Sequence, residues 1–355
     1  MKKLIASLVL LLPLLGGCPS QERLGFDTMA ILGEGVINDP ANKSLRFDLL
    51  KFGLEQFCQE MKRRGAPLKL RDGDPVVGRF FAESCDSQIV DNPPYQSFIV
   101  RYSGRGYGWT NVSKRLGFAT SGMIEYAPDF QLHDDAMYVY FRPRNINAAS
   151  FTTTLVESSL LQTGMALAQI NADELGRNLV LGQLQRGFTV IRYSRRGETD
   201  FAAGLVSPGS RPFRPFNVVR SEKLTLDNDR TDVHAGQQDF VGGFTVTDDD
   251  QALYLTLTID GAPGIDVLLV PEGMGDQVLA SYTVRPGPSG LLGAPVTDDA
   301  VVRGTPFQRA IAVPPGTYYL LLDHSAGLGR TAPPQQLFDD RAATVDYLVQ
   351  LGDAP

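Results

Sequence analysis

The residues that build metal and redox sites are scarce in this sequence. Its 355 residues include three histidines, three cysteines and one tryptophan. His133, His234 and His324 lie far apart, and no C-x-x-C pair accompanies them, which excludes zinc-ribbon and iron–sulfur spacings. The patterns G-x-S-x-G, H-E-x-x-H and S-x-x-K are missing, as is a P-loop, so no cofactor is implied. Beyond the amino terminus no run approaches the eighteen or so apolar residues of a transmembrane helix. Basic charge is scarce in the second half. Residues 19–220 carry 24 Lys and Arg against 21 Asp and Glu, whereas residues 221–355 carry 7 against 19. Such an acidic half repels phosphate backbones and argues against nucleic acid as a partner.

The amino terminus reads "MKKLIASLVLLLPLLGGC". Lys2 and Lys3 form a basic start, and Leu4 to Leu15 form an apolar stretch too short to span a bilayer comfortably. Leu15-Gly16-Gly17-Cys18 resembles the lipobox of bacterial lipoproteins. The resemblance implies cleavage after Gly17, acylation of Cys18 and a tether to the membrane, since two or three acyl chains hold a protein stably where one does not. Pro19 stands where the inner-membrane retention signal has Asp, which implies the outer membrane. An ordinary secretory leader is the alternative.

With Cys18 lipidated, Cys58 and Cys85 remain. Export to an oxidising compartment points to one disulfide between them; two separate buried thiols are the alternative.

Two domains are expected from the length. Their organisation is a signal peptide at 1–17, a tether at 18–40, an α+β domain at 41–206, a Pro-rich linker at 207–223 and a β-sandwich at 224–355. The linker contains "SPGSRPFRPF", where Pro208, Pro212 and Pro215 stiffen the chain close to the change in charge balance.

In the first domain, "SLRFDLLKFGLEQFCQEMKRRG" predicts one helix, capped by Ser44 and ended by a left-handed Gly65. Leu50, Leu54, Phe57, Cys58 and Met61 share its apolar face. Four strand-like runs follow, then a second helix within residues 155–184, then a hairpin. That order predicts an α+β domain with a mostly antiparallel sheet. In the second, "ALYLTLTID" alternates strictly, and further short runs separated by Gly, Pro and Asp turns predict an all-β sandwich of jelly-roll type with no helix. "GGFTV", "ALYLTLTID", "GIDVLLV" and "VPPGTYYLLLDHSAGLG" resemble the bacterial pre-peptidase C-terminal domain. The resemblance implies a non-catalytic accessory fold and carries no active-site residues.

"SFIVRYSGRG", ending at Gly106, echoes "FTVIRYSRRG", ending at Gly197. Both predict strand ends running into glycine turns, with Arg101 and Arg105, and Arg192 and Arg196, on one face. Two readings are open: cationic rims that bind anionic groups of lipids or polymers, or solvated arginines guarding sheet edges. "RLGFDT" and "RLGFAT" repeat at nearly the same offset, the mark of an internal duplication, although the segments between them disagree in pattern.

His133, Asp134 and Asp135 are the candidate acid–base or metal cluster, set against plain turn chemistry. Asp227, Asp229 and Asp232 are candidate calcium ligands, without the glycine and terminal glutamate of an EF-hand loop. The expectation is a non-enzymatic envelope lipoprotein that binds a lipid, a polysaccharide or other envelope polymer, or a protein. A hydrolase whose site forms only in the fold, and a structural envelope component, are the alternatives.

Overall fold

The computed structural model describes residues 33–55, 57–92, 95–111, 113–157, 172–193, 199–218, 222–331 and 341–355. Cys18 and Arg196 lie outside them, as does "RLGFDT" of the duplication. The chain is packed from Glu34 onward. A helical turn, α1 (Glu34–Ile37), buries Ile37 completely, and the Asn38 side chain donates to the Leu132 carbonyl at 2.8 Å. Part of the stretch expected as a tether is therefore built into the fold.

The expected long helix is two: α2 (Lys43–Leu54) and α3 (Phe57–Arg63). Gly53 weakens the helix at the division by about 1 kcal/mol relative to Ala, and the pieces then pack on different strands. Ser44 lies inside α2, whose preceding residue is Asn42. Gly65 is not left-handed; an added Cβ there would sit 2.5 Å from the Phe81 ring, so close packing is what requires glycine.

A seven-stranded antiparallel sheet follows in simple order: β1 (Ala66–Pro67), β2 (Gly78–Asn92), β3 (Tyr95–Thr110), β4 (Lys114–His133), β5 (Ala136–Val156), β6 (Phe188–Tyr193) and β7 (Thr199–Ala203). Helix α4 (Ala172–Arg186) precedes β6. The sheet curls into a half-barrel, and α2, α3 and α4 pack against β4, β2 and β5 respectively. Phe57 of α3 meets Phe98 edge-on at 5.2 Å and Phe141 at 5.5 Å, while Phe141 stacks on Phe188 at 4.3 Å. The disulfide expected between Cys58 and Cys85 is present and joins α3 to β2.

The first RYS copy is not a strand end. Arg101 to Gly108 lie within β3, a continuous strand of 16 residues. Its glycines serve close approach instead of a turn: a Cβ at Gly104 would lie 2.1 Å from the Phe81 carbonyl oxygen, and one at Gly106 would lie 2.5 Å from the Arg79 carbonyl oxygen. In the second copy, β6 is described as far as Tyr193 and pairs antiparallel with β7 from Thr199; the expected turn lies outside the described residues.

The second domain is the expected sandwich of two four-stranded antiparallel sheets. One contains β8 (Leu224–His234), β10 (Gln251–Asp260), β13 (Phe307–Ala312) and β15 (Ala342–Asp353), in the order β13-β10-β15-β8. The other contains β9 (Gln237–Val246), β11 (Gly264–Pro271), β12 (Thr297–Val302) and β14 (Gly316–His324), in the order β12-β11-β14-β9. Leu253, Leu255 and Leu257 are buried between the sheets, as their alternation requires. One element was not expected. Helix α5 (Glu272–Tyr282) follows β11 and buries Gly275, Val278, Leu279 and Tyr282 at helical spacing.

The helix belongs to a third core cluster, shared by both domains. Phe81 and Tyr107 from the curled sheet pack with Phe240, Val278, Tyr282 and Tyr319 of the sandwich side. Each such side chain contributes roughly 1.5–3 kcal/mol when fully buried, so the domains meet through an apolar interior. The Pro-rich segment also packs against both. Phe213 donates its backbone N–H to Asp72 at 2.8 Å, and Asn228 brackets Phe216, accepting from its N–H at 3.2 Å and donating to its carbonyl at 2.8 Å.

Candidate functional site

A buried polar cluster lies at this junction. Two residues after Val77 the chain enters β2 with Arg79, in register with Tyr107 of β3. Both point away from the helices and toward β9. Arg79 is 2% exposed and makes two hydrogen bonds of 2.9 Å to the Asp239 carboxylate. The Tyr107 hydroxyl donates to Asp239 at 2.6 Å and accepts from the Phe240 N–H at 2.9 Å. Arg79 also donates to the Tyr347 hydroxyl at 3.2 Å. Burial alone would raise the Asp239 carboxyl, but the Arg79 guanidinium holds it below the ordinary aspartate value. Burial, with Asp239 beside it, pushes the Tyr107 hydroxyl well up, so it stays a donor.

Two further pieces flank this pair. On one side Lys69 reaches Asp229 at 2.5 Å, and Val76 forms a parallel bridge with Thr231 across the domains. On the other side lies a cleft of about 280 Å³, its open mouth included, walled in part by Trp109, Arg115, Asp232, His234 and Tyr282. Trp109 and His234 come from different domains and stack face to face, 3.4 Å apart and within 7° of parallel. Arg115 lies 3.8 Å over the Tyr282 ring and donates through Nη2 to Glu157 at 2.5 Å and to the carbonyls of Arg285 and Gly287 at 2.8 and 2.9 Å. Chemically most of these groups hold the domains together, cations meeting carboxylates, although Nε and Nη1 of Arg115 are buried without a hydrogen-bond partner.

The residues singled out from the sequence do not form one site. His133, Asp134 and Asp135 sit at the two-residue turn between β4 and β5, where His133 pairs with Ala136 and Asp134 takes a positive φ of 52°. His133 lies 3.6 Å from Glu34 and 3.8 Å from Asp134, and all three side chains are well exposed. Solvated turn chemistry describes them. Arg101 is opposite Met123, ten residues from His133 along β4 and so about 33 Å away at strand spacing. Arg192, opposite Met137, lies nearer the turn.

Arg101 and Arg105 share the outer face of β3, as alternation requires, but each has an acidic neighbour on β2. Arg101 is 3.5 Å from Asp86, directly across the ladder, and Arg105 pairs with Glu83. These are cross-strand ion pairs in solvent, worth little individually.

Asp227, Asp229 and Asp232 all lie on β8, and each has a protein group beside it. Asp229 holds Lys69, Asp232 accepts from the Thr344 hydroxyl at 2.7 Å, and the Tyr347 hydroxyl is 3.5 Å from Asp227. Among the described residues no three His, Cys, Asp or Glu side chains gather as a metal site, and of these three aspartates Asp229 is ion-paired.

Sequence reasoning passed over Arg79, Arg115 and Asp239. Their signal was a charge inside an apolar run, as in "VVGRFFA" and "QQDFVGGF". Among the described residues no helix is long and apolar enough to cross a membrane. No protein-family model matches the chain, and no curated protein matches it.

Proposed function

We propose that the chain is a lipid-anchored protein of the cell envelope, tethered through Cys18, whose body acts by binding a lipid, envelope polymer or protein and not by catalysis. The observation that carries this is the use to which the enclosed charges are put. Arg79, Asp239, Lys69, Asp229, Arg115 and Glu157 all pair with one another, and four of them pair across the domain junction. A body built this way is a rigid presenter of surfaces. On this reading the leader motif supplies the anchor, and the sandwich presents a binding surface.

The test uses two forms of the protein. Wild type, made with its own leader in a Gram-negative host, should carry acyl mass on Cys18 and partition into detergent. A form starting at residue 19, exported behind an ordinary cleaved secretory leader, should lose both. This anchor-free form should still sediment with isolated outer-membrane vesicles through its binding surface. An unmodified Cys18 in wild type would overturn the anchor, and an anchor-free protein that stays wholly in solution would overturn binding.

A further inference from the structure

The junction holds more carboxylates than cations. Asp227 and Asp229 alternate along β8 and face the loop that leads into β2, with Asp239 of β9 beside them. Opposite these three carboxylates stand two enclosed cations, Lys69 and Arg79, whose side chains are 6% and 2% exposed. Asp239 takes Arg79 through both oxygens, and Asp229 takes Lys69. Asp227 has no cation bonded to it: it takes the Tyr347 hydroxyl at 3.5 Å and the Asn228 backbone N–H, with Arg79 acting from a distance.

The surroundings offset the imbalance only in part: Arg64 and Arg230 add positive charge near Asp227 and Asp229, but the Arg230 guanidinium is held by Asp346. From the end of α3, the exposed Arg64 gives its hydrogen bond to the Leu226 carbonyl. From the loop, Lys69 also donates to the Asp72 carbonyl at 3.3 Å, while the Asp72 carboxylate accepts from Phe213. From β15, Asp346 is occupied with Arg230 at 2.6 Å, and Tyr347 supplies a hydroxyl. From β3, Tyr107 donates to Asp239. Asp232, farther along β8, adds another negative group.

We propose that docking of the two domains is coupled to uptake of about one proton by the Asp227–Asp229 pair, so that the junction is held more tightly in mildly acidic surroundings than at neutral pH. An enclosed surplus carboxylate costs free energy while ionised and much less once protonated. When the junction opens, water solvates both groups and the proton leaves. Burial, reinforced by the neighbouring Asp227 and opposed by Lys69, pushes the Asp229 carboxyl up to about 6, and burial raises Asp227 as well.

The sign follows from linkage. A carboxyl raised on docking favours the docked form below its docked pKa, and that advantage fades as pH rises through it. For Asp229 the window runs from about 4 to about 6, and no further change comes from it above neutrality.

The backbone supplies the readout. Val76 N–H donates to the Arg230 carbonyl at 2.8 Å, and Asp232 N–H donates to the Val76 carbonyl at 3.1 Å, so both amides are protected only while the domains are docked. Hydrogen exchange of these two amides in the full mature chain, corrected for intrinsic rates, should show roughly tenfold greater protection at pH 5 than at pH 7.5. Amides of β10 in the sandwich core should not follow. The Asp227→Asn/Asp229→Asn double variant should lose the difference between the two pH values; Asp229→Asn alone serves the same comparison if the double variant fails to fold. His234, stacked on Trp109 at the same junction, is the competing titrating group. Equal protection at both pH values in wild type would overturn the proposal. So would a difference that survives the Asp substitutions, or one abolished by His234→Asn instead.

Discussion

Removing the Arg79 guanidinium leaves the Asp239 carboxylate enclosed without its cation. Loss of one partner of such a pair typically costs 3–5 kcal/mol. Arg79→Ala is therefore expected to destabilise the protein by about that much, read as a lower urea midpoint. Arg101→Ala, which removes a solvated arginine 50% exposed and 3.5 Å from Asp86, should cost less than about 1 kcal/mol. Comparable losses for the two would contradict the assignment of structural charge to the junction. At this scale the sequence was least legible. Arg79 and Asp239 stand 160 residues apart, and periodicity has no reach over that distance. Arg101 and Arg105, by contrast, were correctly placed on one face, because alternation along a strand is local.

Between elements, the Cys58–Cys85 bond fastens α3 to β2 across a separation of 27 residues. Closing a loop of that size stabilises by about 3–4 kcal/mol in the chain-entropy model. Reduction with dithiothreitol, or Cys58→Ser/Cys85→Ser, should lower the urea midpoint accordingly, and an unchanged midpoint would show that packing of Phe57 and its neighbours already fixes the helix. Pairing was readable because setting Cys18 aside as the expected lipidation site left two cysteines. The apolar face of the helix was readable too, since Leu50, Leu54 and Cys58 are buried as their spacing demands. Helix α5 was hidden for a physical reason. Gly273 and Gly275 lower its intrinsic propensity, and Gly275 is there because a Cβ would lie 2.5 Å from the Tyr319 ring. Tertiary packing, not local preference, makes that segment helical.

The whole molecule is organised by its shared interior. Strict alternation in "ALYLTLTID" revealed the sandwich. It did not disclose that Phe81 and Tyr107 turn outward from the curled sheet into a core with Phe240 and Tyr282. In sequence they are ordinary strand aromatics, and only the arrangement of the two sheets gives their outer face something to cover it. A Pro-rich segment usually separates independent domains; here Phe213 and Phe216 are bonded to Asp72 and Asn228 instead. If one interior joins the domains, they should lose structure together. Trp109, the only tryptophan in the chain, stands at the junction stacked on His234 and so reports docking directly. The decisive measurement is equilibrium urea unfolding of the mature chain, followed at once by Trp109 fluorescence and by far-ultraviolet circular dichroism. A single coincident transition is the predicted result. A Trp109 change completed while the strand signal remains intact, followed by a second transition, would contradict it and return the molecule to two domains on a linker.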